Sequence, residues 1–267
     1  MYNLHLLLLS FIINELYGKI KRIMGFDVKI TTKMGLLDVV LPYTCRGCGR
    51  VGEPVCGCCK NYIMGRGKQI YGLDDEDDDG FESFPVFAAG RREGVLKKLI
   101  VEYKYQSRRG LKRVLAEALA QAAPTEVARK LVAERAVVVP LPTISRHIRE
   151  RGFGHTEKLA REFAKMTGLT YVPLLKRANK TVQVGADEET RQKQAATAYE
   201  IDKGFFATRP AGPILLVDDI WTTGASMKAA AQKVREAGFT EVYGVVLASG
   251  LKDETEKASE EEAEESN

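Results

Sequence analysis

The sequence lacks any hydrophobic run long enough to span a membrane. Its longest apolar stretch, from Leu4 to Ile13, is interrupted by His5 and Ser10, whereas a transmembrane helix needs roughly 20 apolar residues. An export signal would place its basic residues before such a stretch, but here they follow it, from Lys19 onward. These absences argue against a membrane-spanning or exported protein, and we expect a cytoplasmic one.

Acidic residues are concentrated in two segments of the chain. Asp74 to Asp79 contributes six negative charges, and Lys252 to Asn267 holds eight acidic and two basic residues. Because the whole chain has a formal net charge of +4, the remainder carries +16. That balance favours an anionic partner, either a phosphorylated metabolite or a nucleic acid backbone. We interpret the acidic segments as a solvated linker and a disordered tail.

Composition divides the 267 residues into five segments. The first is an uncertain N-terminal extension, because Met24 or Met34 is an alternative start. We predict the extension at 1–33, a cysteine-rich module at 34–72, an acidic linker at 73–80, a main domain at 81–250 and an acidic disordered tail at 251–267.

The main domain alternates amphipathic helical patterns with short apolar strands. This alternation predicts an α/β domain whose parallel sheet is covered on both faces and binds its ligand at the carboxyl ends of the strands. The predicted helices are Arg91 to Glu102, Leu111 to Ala123, Glu157 to Thr167 and Ser226 to Ala237, and the predicted strands are Ala136 to Val139, Ile214 to Val217 and Glu241 to Leu247.

The most informative motif follows the strand that begins at Ile214. Asp218 and Asp219 come at its predicted carboxyl end, where ribose hydroxyls can donate to the carboxylates and a nearby magnesium ion can offset their repulsion. The next residues supply hydroxyls and backbone N–H groups at the start of a helix, a pattern typical of anion-binding sites. They are Thr222, Thr223, Gly224, Ala225 and Ser226.

Three alternatives compete for this motif. The metal-binding strand of a phosphate-loop nucleotidase would need a G-x-x-x-x-G-K-[ST] partner, and the sequence has none. A phospho-accepting receiver domain has its paired aspartates near the start of the domain, whereas only 48 residues follow Asp219 here. A purely structural turn rarely combines two acids, two threonines and a glycine. A binding site for a ribose 5-phosphate group is favoured over all three.

Val217 to Gly224 resembles the phosphoribosyl pyrophosphate (PRPP) signature of type I phosphoribosyltransferases. Further matches narrow the resemblance to the ComF family: Pro140-Leu141-Pro142, Arg146, Arg149-Glu150-Arg151-Gly152-Phe153 and Leu159-Ala160, with weaker matches over Tyr103 to Arg109 and Lys176 to Tyr199. In that family Asn-Gln usually follows the Gly-Phe pair, but Gly154-His155 follows it here. We therefore carry no family role over to this pair and interpret His155 as a helix-entry residue rather than a catalytic base.

The resemblance implies the type I phosphoribosyltransferase fold and a transferase that displaces pyrophosphate from PRPP. Asp218 and Asp219 would then fix the ribose hydroxyls and stabilise the positive charge that develops at the anomeric carbon. Magnesium and the cations of Lys104, Arg146, Arg149 and Arg151 would bind the pyrophosphate. No motif identifies the acceptor.

The ComF resemblance also implies a role in DNA uptake, with a competence helicase as a partner. A non-catalytic alternative stays open, in which the protein handles single-stranded DNA or senses PRPP. Proteins that bind single-stranded DNA usually stack its bases on several aromatic side chains. Near the basic segments of this sequence only three are found, Tyr103, Tyr105 and Phe153. The residues therefore favour the enzyme or sensor over direct DNA binding.

Cysteine is absent outside positions 45–59. Cys45-x-x-Cys48 and Cys56-x-x-Cys59 offer four thiolates in two pairs, a spacing typical of structural zinc. Cys58 is a competing ligand for the second pair. A redox-active dithiol is the alternative, although it usually involves one pair beside a helix. We predict a zinc-ribbon-like module, since so small a segment needs a cross-link to hold its fold.

Overall fold

The computed structural model describes residues 44–72, 82–106, 109–143, 154–178, 198–202, 204 and 211–250. These residues all belong to a single compact unit, Thr44–Asn267. The predicted N-terminal extension, the acidic linker between 73 and 80 and the acidic tail after 250 lie outside the described residues. The segment boundaries proposed for them stay predictions.

Helices and strands alternate along most of the described chain. The helices are α1 (Gly57–Ile63), α2 (Gly94–Gln106), α3 (Arg109–Ala120), α4 (Thr125–Ala133), α5 (His155–Thr167) and α6 (Ala225–Glu236). The strands are β1 (Lys68–Tyr71), β2 (Val86–Arg91), β3 (Val137–Pro140), β4 (Thr170–Tyr171), β5 (Leu175–Arg177), β6 (Tyr199–Ile201), β7 (Ile214–Trp221) and β8 (Val242–Ser249).

A six-stranded sheet with the order β1-β2-β8-β7-β3-β4 forms the centre of the fold. Strand β1 is antiparallel to β2 at one edge, and all the other neighbours are parallel. Strands β5 and β6 form a separate antiparallel pair. The predicted mixed α/β architecture with a mostly parallel sheet is confirmed.

Both faces of the sheet are buried, because alternate residues of each strand point to opposite sides. On one side Leu215 and Val217 of β7 belong to a core with α2, α3 and α5. On the other side Ile214 and Leu216 belong to a core with α6, β5 and β6. A parallel sheet with both faces covered favours continuous apolar strands, and β3 and the first four residues of β7 are apolar and buried.

Helix α5 ends at Thr167, where the predicted helix ends, and a glycine follows it. Gly168 has a φ of 75°, in the left-handed region that only glycine enters at little cost. The hydroxyl of Thr167 donates to the carbonyl of Phe163 at 2.9 Å, which satisfies one acceptor of the last turn. No helix among the described residues is long and apolar enough to cross a membrane.

Candidate functional site

Strand β7 continues through both aspartates of the motif and ends at Trp221. It pairs with β8 from Ile214 opposite Val242 to Trp221 opposite Ser249, so it is four residues longer than the predicted strand. Asp218 and Asp219 therefore lie within the strand, in the half nearer its carboxyl end. Adjacent strand residues point to opposite faces of a sheet, and the two carboxylates accordingly have different surroundings.

Asp219 is buried on the sheet face that α2 and α5 cover. Its Oδ2 atom lies 2.6 Å from Nζ of Lys104 and 3.1 Å from Nε2 of His155. Burial by itself raises the pKa of a carboxyl, but Lys104 and His155 outweigh it and hold the pKa of Asp219 well below its usual range. Asp219 is therefore a charged carboxylate with two donors on one oxygen.

The second donor, His155, is itself buried, with 7% of its side chain exposed. It is the first residue of α5, as expected for a helix-entry residue. The hydroxyl of Tyr103 donates to the His155 carbonyl at 2.8 Å, which ties the last turn of α2 to the first turn of α5. The contact between His155 and Asp219 was not predicted from the sequence.

Asp218 lies on the other face of the strand, and its pKa is shifted in the opposite direction to that of Asp219. Burial and then the negative charge of Asp219 raise its pKa well above the usual range. Its Oδ1 accepts a hydrogen bond from the Asp219 backbone N–H at 2.8 Å. No ion pair is found for Asp218 within the described part of the chain.

Strand β6 reaches this side of the site through Tyr199. Burial raises the pKa of Tyr199, although the nearby guanidinium of Arg177 and a hydrogen bond with Ser226 act in the opposite direction. The guanidinium carbon of Arg177 lies 5.1 Å from the centre of the Tyr199 ring. The β5 and β6 pair thus borders the start of α6.

The turn after β7, residues 222–226, leads directly into helix α6. Gly224 precedes the helix with a φ of 81°, in the left-handed region, and its carbonyl accepts the Lys228 N–H at 2.9 Å. The Ala225 N–H lies 3.4 Å from the hydroxyl oxygen of Thr223. Thr223 and Ser226 are exposed, which leaves their hydroxyls accessible beside the helix N-terminus.

The indole ring of Trp221 packs against Gly224 in this turn. A Cβ atom added to Gly224 would lie 2.3 Å from Cζ2 of the indole, so the ring occupies the space that a side chain would need. The indole also packs on Tyr71, with ring centres 5.3 Å apart. Nζ of Lys228, in the first turn of α6, lies 4.7 Å from the centre of the Tyr71 ring. An aromatic and cationic stack therefore supports the turn.

A second cluster consists of the four cysteines Cys45, Cys48, Cys56 and Cys59. Their sulfur atoms all lie within 4.8 Å of one another, and tetrahedral thiolate coordination needs sulfurs roughly 3.8 Å apart. The predicted four-cysteine cluster is confirmed, and its donor set can hold a metal ion. The fifth cysteine, Cys58, is not part of this set; its sulfur lies 3.8 Å from a guanidinium nitrogen of Arg50.

Backbone donors surround the buried sulfur of Cys45. The Cys56 N–H donates to it at 3.3 Å. Burial raises the pKa of this thiol, but the N–H groups of Cys56, Cys48 and Gly47 outweigh that effect and lower the pKa to about 6. A preformed thiolate of this kind favours metal coordination. Cys45, Cys56 and Cys59 also contribute to the apolar core that contains α2.

The structure brings together part of the predicted ligand set. Lys104 and Asp219 are in contact, and Asp218 and the turn from Thr222 to Ser226 adjoin them along β7. The candidate pyrophosphate ligands Arg146, Arg149 and Arg151 lie outside the described residues and stay predictions. His155 and Tyr199 were not assigned to the site from the sequence. Only the departure of His155 from the family pattern distinguished it beforehand.

No protein-family model matches the chain, and no curated protein matches it either. Among the solved structures that match, one is described as an allosteric regulatory enzyme of purine biosynthesis, with 19% identity and a TM-score of 0.36 over 55% of this chain. Another is glutamine phosphoribosylpyrophosphate amidotransferase from B. subtilis in complex with ADP and GMP, with 19% identity and a TM-score of 0.35 over 54% of this chain. The matched part covers 30% of each neighbour's own length, and a likeness at this level assigns no function.

Proposed function

We propose that the protein is a PRPP-binding phosphoribosyltransferase of the type I class, with its site at the carboxyl end of β7. The observation that carries the proposal is the combination of two adjacent aspartates on β7, Asp218 half-buried and Asp219 buried, with a glycine-containing turn that opens α6. Crevices at the carboxyl ends of parallel strands are the usual ligand sites of such sheets. PRPP supplies both chemical groups that this combination fits.

The aspartates suit the ribose of PRPP. Its two free hydroxyls are donors, and ionised carboxylates accept short, strong hydrogen bonds from such groups. The transfer passes through a positively charged sugar, so fixed negative charge near the anomeric carbon lowers the barrier. Because water-excluded charges act more strongly than solvated ones, the burial of the charged Asp219 adds to this effect. No protein nucleophile is required.

The turn from Thr222 to Ser226 suits the 5-phosphate. The first N–H groups of α6 have no partners within the helix, and the helix dipole adds partial positive charge at this end. The hydroxyls of Thr223 and Ser226 add donors that can rotate toward phosphate oxygens. The left-handed conformation of Gly224 lets the backbone N–H groups point at one anion.

The leaving pyrophosphate needs positive charge. Lys104 supplies one cation beside the aspartates, and we assign the others to Arg146, Arg149 and Arg151. A magnesium ion bound with PRPP would supply further positive charge for the leaving group. The residues present fit such an ion, because Asp218 has carboxylate oxygens, the donors that magnesium prefers, and no ion-pair partner among the described residues.

We assign structural zinc to Cys45, Cys48, Cys56 and Cys59. Four cysteine sulfurs within 4.8 Å of one another are the ligand set of closed structural zinc sites. The ComF resemblance extends the proposal to a competence protein that acts in DNA uptake with a helicase partner. Support for that extension comes from the sequence motifs and the +16 charge outside the acidic segments. The alternative is a PRPP sensor that has lost transfer.

Calorimetric titration of PRPP with magnesium tests the proposal. We expect the wild type to bind and the double variant Asp218→Asn plus Asp219→Asn to bind at least about 100-fold more weakly, since two charge-assisted hydrogen bonds are lost. Turnover with an acceptor, found by screening bases and amines for pyrophosphate release, would separate the transferase from the sensor.

A matched control removes one negative charge at the opposite end of the sheet. Glu241 precedes β8 and contacts Nζ of Lys130 at 2.5 Å, so Glu241→Gln should leave PRPP binding unchanged. Equal binding by the wild type and the double aspartate variant would contradict the proposed site. For the DNA alternative, binding to single-stranded DNA should weaken steeply with added salt, and no binding at low salt would argue against it.

A further inference from the structure

The oxygen atom Oδ2 of Asp219 has two donors from different helices. Lys104 reaches it from the last turn of α2 at 2.6 Å, and His155 reaches it from the first residue of α5 at 3.1 Å. One donor is enough to compensate a buried carboxylate in part. Two such groups beside one oxygen atom can therefore have different tasks.

The two donors differ in freedom of movement. Lysine has a flexible four-carbon chain and a compact charge, so Lys104 can turn toward another anion without moving its helix. His155 has a short side chain on a backbone that the Tyr103 hydroxyl holds at 2.8 Å. Tyr103 and Lys104 are neighbours on α2, which means that the backbone tie stays in place when the lysine side chain turns. His155 is thus the stationary donor.

PRPP would bring a strong competitor for Lys104. Its pyrophosphate carries more negative charge than one carboxylate, and an ammonium group that turns to it leaves Asp219. A buried carboxylate left without any donor would be costly. The imidazole would reduce that cost, because its Nε2 atom stays 3.1 Å from Oδ2 when the lysine turns away.

The nitrogen of His155 that faces Asp219 is Nε2, 3.1 Å from Oδ2, so the proton that it donates lies on this atom. Its Nδ1 atom is buried and has no hydrogen-bond partner among the described residues. A second buried N–H without an acceptor would be unfavourable, whereas a lone pair at Nδ1 is tolerated more easily.

We propose that His155 is a positioning residue of the PRPP site, which holds Asp219 in place for the ribose hydroxyls while Lys104 turns to the pyrophosphate. The inference rests on the proposed function and goes beyond it, because it assigns separate tasks to the two donors. It also gives a role to the residue at which this chain departs from the family pattern.

Titration of three ligands into three variants tests the assignment. In magnesium buffer, His155→Ala should weaken PRPP and ribose 5-phosphate by a similar factor, about tenfold or more, because both contain the hydroxyls that Asp219 binds. Inorganic pyrophosphate contains no ribose, and its affinity should change by less than about threefold. His155→Gln should restore ribose 5-phosphate binding to within about threefold, since its side-chain amide can donate to Oδ2.

Glu157→Gln is the matched control in the same helix turn. Glu157 is exposed and pairs with Arg161 at 2.9 Å, so this variant should bind all three ligands as the wild type does. Thermal melts identify any variant that fails to fold, and His155→Gln then provides the decisive comparison.

Three outcomes would overturn the assignment. Wild-type affinity of His155→Ala for ribose 5-phosphate would show that Asp219 does not need the imidazole. Equal weakening of all three ligands in both His155 variants would indicate a purely structural residue. Failure of the wild type to bind PRPP would overturn the proposed function itself and this inference with it, whereas the first two outcomes leave the proposed function intact.

Discussion

Replacing Gly224 by alanine is expected to weaken PRPP binding by at least about 30-fold. The backbone at Gly224 has a φ of 81°, which costs a non-glycine residue roughly 1–2 kcal/mol. The new Cβ would also lie 2.3 Å from Cζ2 of Trp221, and relief of such overpacking costs roughly 1–3 kcal/mol more. Because the turn can relax only by moving its N–H groups, the 5-phosphate site should be distorted. Calorimetry with PRPP and magnesium measures the effect.

Gly168→Ala is the control that separates backbone strain from the collision. Gly168 has a similar φ of 75°, but nothing lies within 4 Å of its added Cβ, and it ends α5 far along the chain from the turn. This variant should lose about 1 kcal/mol of folding stability and keep its affinity for PRPP. If Gly224→Ala binds PRPP as tightly as Gly168→Ala does, the turn is not part of the binding site.

Loss of any ligand in the four-cysteine cluster is expected to remove zinc and destabilise the whole domain. The sulfur of Cys59 is buried, and Cys45, Cys56 and Cys59 share the apolar core with Leu96 and Leu99 of α2. Cys59→Ser should therefore lower the melting temperature by about 10 °C or more. Metal analysis of the purified protein should find one zinc per chain in the wild type and almost none in the variant.

Cys58→Ser is the matched control for that experiment. Cys58 is exposed and lies outside the four-sulfur cluster, so the variant should retain both zinc and wild-type stability. The same variant tests whether Cys58 or Cys59 is the metal ligand of the second cysteine pair. Loss of zinc from Cys58→Ser, with zinc retained in Cys59→Ser, would contradict the assignment of ligands.

The parallel core of the fold was predictable because its pattern is local. Apolar β-branched runs identify β3, β7 and β8, and amphipathic periodicity identifies α2, α3, α5 and α6 within a few residues. The other strands of this sheet, β1, β2 and β4, were not predicted. Strand β2 contains two alanines and a glycine, which have low strand propensity, and its pairing with β8 is what makes it a strand.

The length of β7 was also set by pairing between strands and not by local sequence preference. Aspartate is depleted in strands, so the pattern ended the predicted strand at Val217. Pairing with β8 continues to Trp221, because tertiary hydrogen bonding overrides the weak preference of two residues. The consequence is functional: as strand residues, Asp218 and Asp219 face opposite sides of the sheet and have pKa values shifted in opposite directions.

By itself, the sequence determined those features whose parts are close together in the chain. The two aspartates, the turn from Thr222 to Ser226 and the two cysteine pairs are recognisable because their chemistry depends on short spacing. Only the tertiary structure decided which groups meet Asp219. Lys104 and His155 are far from it in the chain and reach it because α2 and α5 pack on the same face of the sheet. No periodicity encodes that meeting, since it depends on how separate elements bury their apolar faces together.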